Sequence, residues 1–123
     1  MPNDMIRLMH ALFLPLAEGA AAALWRPAAD VYRTAEGWFV KFELAGVRAE
    51  EIDLHVLGRT MVLRGTRRDC APSGCHVHQM EISYSRFERV LELPCDLGRA
   101  EIETSYRDGM LFVHIRTREG GDR

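Results

Sequence analysis

The side chains with the most chemistry crowd into one stretch, Cys70-Ala71-Pro72-Ser73-Gly74-Cys75-His76-Val77-His78. Two thiols and two imidazoles, Cys70, Cys75, His76 and His78, are the ligand types of a tetrahedral zinc site. Zinc motifs, however, usually pair ligands two to four residues apart within each of two arms, and four ligands in so short a run leave little room for tetrahedral geometry. A reversible redox pair between Cys70 and Cys75 is the second reading, and plain loop residues are the third. The remaining thiol, Cys95, stands apart; three cysteines are odd in number and too few for a disulfide scaffold. A reducing, cytoplasmic setting is the expectation. The other histidines, His10, His55 and His114, are scattered, and His55 and His114 alternate with apolar neighbours as sheet-face residues do. No Ser or Cys stands in a nucleophile setting such as G-x-S-x-G, and no G-x-x-x-x-G-K-[ST] loop or Gly run offers a phosphate cradle. The expectation is a protein that is not an enzyme and needs no cofactor.

The elements that hold these residues follow from hydrophobic periodicity. The chain has 123 residues, enough for one ordinary domain and an arm. Sixteen basic and eighteen acidic side chains nearly cancel, and no Lys/Arg stripe is present to release counterions from a phosphate backbone, so nucleic acid is not an expected partner. No apolar stretch approaches the roughly 20 residues that span a bilayer, so no membrane is expected either. The opening could imitate a secretory signal, but Asp4 lies where positive charge belongs, Pro15 interrupts the apolar run and Glu18 follows it.

Over residues 4–14, Met5, Ile6, Leu8, Met9, Leu12 and Phe13 fall on one broad face of a short helix that Asn3 or Asp4 can cap and Pro15 stops. That helix either docks on its own domain or serves as an arm for partners. From Pro27 onward the pattern is β. Residues 28–33 suit an edge strand after a Pro, and Trp38, Val40, Phe42 and Leu44 make one apolar face. Residues 48–51 allow one helical turn. Ile52/Leu54/Val56 and Met61/Leu63 flank a tight turn at Gly58-Arg59. Residues 68–79, with Pro and Gly, form the longest irregular stretch. Phe87/Arg89/Leu91/Leu93, Ile102/Thr104/Tyr106 and Met110–Ile115 alternate around a Pro94–Gly98 break and an Asp108-Gly109 turn, and are expected to be three strands of one antiparallel sheet. The count predicts an all-β, antiparallel, immunoglobulin-like β-sandwich of seven or eight short strands.

Several of these passages together resemble the alpha-crystallin domain of the small heat shock proteins. Pro27-x-x-Asp30-Val31-Tyr32 is similar to the family's opening. Phe42-Glu43-Leu44-Ala45-Gly46-Val47 with Glu51-Ile52 resembles its E/D-L-P-G-V … E-D-I passage, with Ala45 in place of Pro. Residues 81–89 resemble E-R-x-Y-G-x-F-x-R, with Ser85 in place of Gly. The stretch Phe87-x-Arg89-x-x-x-Leu93-Pro94 and the Asp108-Gly109-Met110-Leu111 turn complete the signature, although Thr104 replaces its Ala. The domain expected on this basis covers residues 25–116, between an arm of residues 1–24 and a polar tail of residues 117–123.

The resemblance implies an ATP-independent holdase that binds non-native client proteins. It also implies a homodimer in which the loop around residues 68–80 adds a strand to the partner's sheet, with Arg89, Tyr84 and Met80 at the interface. Client contact is expected from Met5, Ile6, Leu8, Met9, Leu12 and Phe13. A groove, with Ile52, Leu54 and Val56 on one side and the strand over residues 101–106 on the other, is the second client surface. Family members often end in an I-x-I/V plug; only a short polar tail follows Ile115, so assembly is expected to stop at dimers or small oligomers that rely on the arm. The rival from another class is a CS-type β-sandwich module docking on one folded partner.

Overall fold

Seven strands carry the fold: β1 (Ala29–Arg33), β2 (Gly37–Glu43), β3 (Ile52–Leu57), β4 (Thr60–Arg67), β5 (Ser85–Glu92), β6 (Glu101–Arg107) and β7 (Met110–Arg116). They come from a computed structural model that describes residues 24–117. The expected N-terminal helix, its client-contact face and the tail beyond Thr117 lie outside the described residues. Two antiparallel sheets result, one in the order β1-β2-β7-β6 and the other β3-β4-β5. This is the all-β sandwich that the alternation predicts.

Local chemistry sets the turns. Asp108 and Gly109 take φ values of 55° and 74°, the pair of left-handed residues that a two-residue type I′ hairpin between β6 and β7 requires. The residues expected to form a helical turn include a short 3-10 turn, Ala49–Glu51, which leads into β3.

Alternation then sorts the faces. Val40 and Phe42 of β2 and Leu111, Val113 and Ile115 of β7 bury their side chains with Met61 and Leu63 of β4 and Phe87 of β5. Each such side chain contributes roughly 1.5–3 kcal/mol by leaving water, and a one-residue slip would move the whole row to the wrong face. Gly65 in β4 marks a close approach between elements. A Cβ there would run into the Glu51 carbonyl and the Phe87 ring.

One expectation is corrected. β5 does not share a sheet with β6 and β7; it pairs with β4, and the Pro94–Gly98 break carries the chain from one sheet to the other. Along the crossing Leu93, Cys95 and Leu97 are buried, while the Leu93 and Leu97 amides donate to the carbonyls of Arg59 (2.9 Å) and Gly58 (2.7 Å). Alternation reports which side chains face the core, and strands of either sheet facing one core alternate identically. The irregular stretch is also longer than residues 68–79: β4 ends at Arg67 and β5 begins at its register partner, Ser85.

Ser85 itself has a φ of 73°, in the left-handed region that costs a non-Gly residue roughly 1–2 kcal/mol. The family's Gly at this position is therefore a backbone requirement that this chain meets with strain. Ser85→Gly is expected to raise stability by about 0.5–1 kcal/mol once the extra freedom of Gly in the unfolded chain is deducted. Urea denaturation followed by tryptophan fluorescence measures it.

Candidate functional site

A sandwich of two open sheets has four edge strands, each offering a row of N–H and C=O groups to any chain that can pair with it. Here they are β1 and β6 of one sheet and β3 and β5 of the other. The β5 edge is met by the chain itself. Trp25 forms a one-residue parallel bridge opposite Phe87, its amide donating to the Arg86 carbonyl (3.1 Å) and its carbonyl accepting from the Glu88 amide (3.0 Å). The Trp25 ring packs 5.2 Å from the Phe87 ring, and the Arg67 guanidinium lies 4.2 Å above the Trp25 ring.

The outer side of β1 has no strand beside it among the described residues, and Val31 and Tyr32 on it are exposed. The other exposed apolar group is in the long loop over residues 68–84, where Val77 is 68%, Met80 52% and Ile82 60% exposed. An open edge and an apolar irregular segment thus coexist in one chain. Both ends of the loop are anchored. Arg68 donates twice to one Glu51 carboxylate oxygen (2.9 and 2.7 Å), and Arg67 donates to the carbonyls of Ser83 (2.9 Å) and Ala45 (2.9 Å). A crevice of about 470 Å³ opens between these anchors, lined in part by Cys70, Ile82 and Tyr84.

Of the residues expected at a dimer interface, Met80 is exposed in the loop and Tyr84 is half-buried at its end. Arg89 is turned inward: one terminal guanidinium nitrogen donates to the Pro27 carbonyl (2.9 Å), and its buried Nε has no partner. Burial, with a smaller contribution from the nearby Arg26 charge, makes its guanidinium less basic than usual. Arg89 therefore holds the chain segment that leads into β1.

On the opposite edges, Ile52, Leu54 and Val56 of β3 are half-buried and pack against the core, alternating with exposed Asp53 and His55. Ile102 and Tyr106 of β6 pack against the same core, while Thr104 is exposed. Cys70, Cys75, His76 and His78 are all exposed, and no three of the described His, Cys, Asp and Glu side chains are grouped as a metal ion would need. Sequence reasoning singled out neither Arg67 nor the apolar loop residues Val77 and Ile82. Their type gave no signal, because their roles depend on where the loop begins and ends.

Comparison with known proteins agrees with this architecture. The model of the Hsp20/alpha crystallin family matches residues 30–123, and the chain belongs to that family. Among relatives, "Small heat shock protein C2" of Rickettsia felis is 24% identical over 96 residues, covering 77% of this chain and 62% of its own length. "18 kDa antigen 1" of Mycobacterium avium is 33% identical over 86 residues, covering 70% and 58%. The chain thus spans about six-tenths of the length of such relatives. Heat shock protein 16.0 from Schizosaccharomyces pombe has the same fold, with a TM-score of 0.69 at 22% identity over 78% of this chain and 90% of its own. A small heat-shock protein from Xylella fastidiosa gives 0.65 at 23% identity, over 77% and 88%.

Tyr106 ties the β6 edge to the loop after β2. Its hydroxyl lies 2.7 Å from the Leu44 carbonyl and 2.6 Å from that of Val47, and it has one proton to donate. Burial pushes its phenol above the usual value, against a smaller opposing effect of the Val47 hydrogen bond. A value raised in the folded state means that the unfolded chain deprotonates first. The stabilisation is then complete below about pH 10 and is lost as pH rises through the folded value. Tyr106→Phe is expected to cost about 1–3 kcal/mol at neutral pH, because the carbonyls lose their donor. It should also shed part of the alkaline loss of stability, which denaturation at pH 7 and above pH 10 would measure.

Proposed function

We propose that this chain is a dimeric, ATP-independent holdase, which covers the exposed apolar surface of partly unfolded proteins before they associate with one another. The observation that carries the reading is the distribution of large exposed apolar side chains. Among the described residues, five of the six are Val31 and Tyr32 on the open β1 edge strand and Val77, Met80 and Ile82 in the loop. An edge without a neighbour and an apolar segment without a sheet suit each other across two copies. Placing residues 77–82 of one chain beside β1 of the other supplies backbone partners to both, and two-fold symmetry repeats the exchange. Family membership supports the same arrangement.

Client capture is assigned to the apolar side chains of Met5, Ile6, Leu8, Met9, Leu12 and Phe13, with Ile52, Leu54 and Val56 as a second surface. Binding non-native chains lowers the concentration that can aggregate and needs no nucleotide. At a ratio of one chain to one client, the protein is expected to suppress heat-induced light scattering of a model client. Deleting residues 1–16 is expected to abolish most of that suppression while leaving the β signal in circular dichroism intact. Undiminished aggregation with the full chain, and no difference on deletion, would contradict the reading.

A further inference from the structure

We infer that Cys70 and Cys75 form an intrachain disulfide under oxidising conditions, and that closing it draws the loop strand back from the partner's sheet. This consequence rests on the dimer proposed above; the disulfide itself does not. Both thiols are exposed in the same limb of the loop. Gly74, with a φ of 80° and open space around its Cα, turns the chain back, and the Cys75 sulfur comes to 2.9 Å from the Pro72 carbonyl. The turn therefore directs Cys75 toward the residues that follow Cys70, in a segment that is exposed along its length, and closure replaces the long contact of the Cys70 sulfur with the Arg68 carbonyl (3.8 Å). The third thiol, Cys95, is buried in the core and gives an internal control.

The chemistry needs a low-molecular-weight disulfide such as oxidised glutathione. One cysteine thiolate attacks a glutathione sulfur, breaking its S–S bond and releasing one glutathione thiol. The second cysteine then attacks the mixed disulfide, and another glutathione thiol leaves. The protein loses two electrons and two protons, and the oxidant gains both.

Geometry supplies the effect. Residues 77–84 precede β5 directly, so an extended strand there reaches about 27 Å from Ser85 to Val77. The other limb must cover the same ground from Arg67, which lies opposite Ser85 in the β4–β5 register. Fully extended, the reduced limb reaches about 34 Å. A disulfide holds its two Cα atoms within about 4.4–6.8 Å, which cuts that reach to about 23 Å. The reduced limb has slack; the oxidised limb, at about 23 Å, falls short of the strand's reach of about 27 Å unless the roughly 5 Å between Arg67 and Ser85 is recovered, and Arg68 is already held to Glu51. The Val77 end of the strand is then pulled from the partner.

The test takes the full chain through a series of glutathione redox buffers. Intact mass and peptide mapping report the thiols, and sedimentation velocity over a dilution series reports association. Expected are the loss of two hydrogens, a Cys70–Cys75 cross-link within one chain, alkylatable Cys95, and a dimer dissociation constant raised about tenfold. Cys70→Ser and Cys75→Ser variants, whose remaining thiol can only take up a glutathione adduct, should dimerise like the reduced protein throughout the series. A cross-link between chains, one to Cys95, or a persistent glutathione adduct would overturn the inference. So would an intrachain cross-link with unchanged dimerisation, which would leave the dimer reading standing. A reduced protein that stays monomeric at every concentration would overturn both the dimer and the coupling, with peptide mapping still deciding the disulfide.

Discussion

Backbone hydrogen bonding at the sheet edges is the constraint on which the rest of this molecule depends. Stacking a four-stranded sheet on a three-stranded one satisfies the interior ladders and leaves four edges. Each edge here has its own arrangement. Trp25 bridges to β5, and Arg67 stacks over its ring and anchors the end of the loop. β3 and β6 are lined by half-buried apolar residues, and Tyr106 joins β6 to the loop after β2. β1 carries exposed Val31 and Tyr32, and its outer edge has nothing paired to it among the described residues. Association by strand addition is the response this arrangement invites.

Such open edges are tolerable because the interior between them is closed. β4 lies at the centre of its sheet with Met61 and Leu63 in the core, and Val62, on its other face, is buried with His55 and Val90 as its cross-strand partners. Gly65 lets Phe87 and the Glu51 backbone close over the same strand. A strand so fixed holds Arg67 at its end, and Arg67 in turn fixes where the loop departs. Stability in the core and placement of the loop are one continuous chain of contacts.

Much of this was legible in the sequence, for identifiable reasons. Asp108-Gly109 demanded a left-handed turn and has one; the alternation from Trp38 to Leu44 named a buried face correctly, and the run from Met110 to Ile115 is a strand. Ser85 stood where the family resemblance calls for Gly, and the backbone there is left-handed. What alternation could not convey was sheet membership, so β5 was assigned to the wrong sheet. Nor could it reveal that the connection after β5 would bury Cys95 and Leu97, since connecting segments normally stay at the surface. The inward turn of Arg89 was equally hidden, because a strand Arg and its carbonyl acceptor on Pro27 are 62 residues apart. The dimer surface is proposed from the resemblance together with the exposure of the β1 edge and of the loop.

Hydrogen exchange of the β1 backbone amides across a protein dilution series tests the central claim most directly. If β1 receives a strand from a second copy, amides in residues 29–33 and 77–84 should gain protection together as concentration rises. The Glu88 amide, already bonded to Trp25, should serve as a constant reference. Protection that appears instead on β3 or β6, or a dimer in which β1 still exchanges as an open edge, would contradict the account.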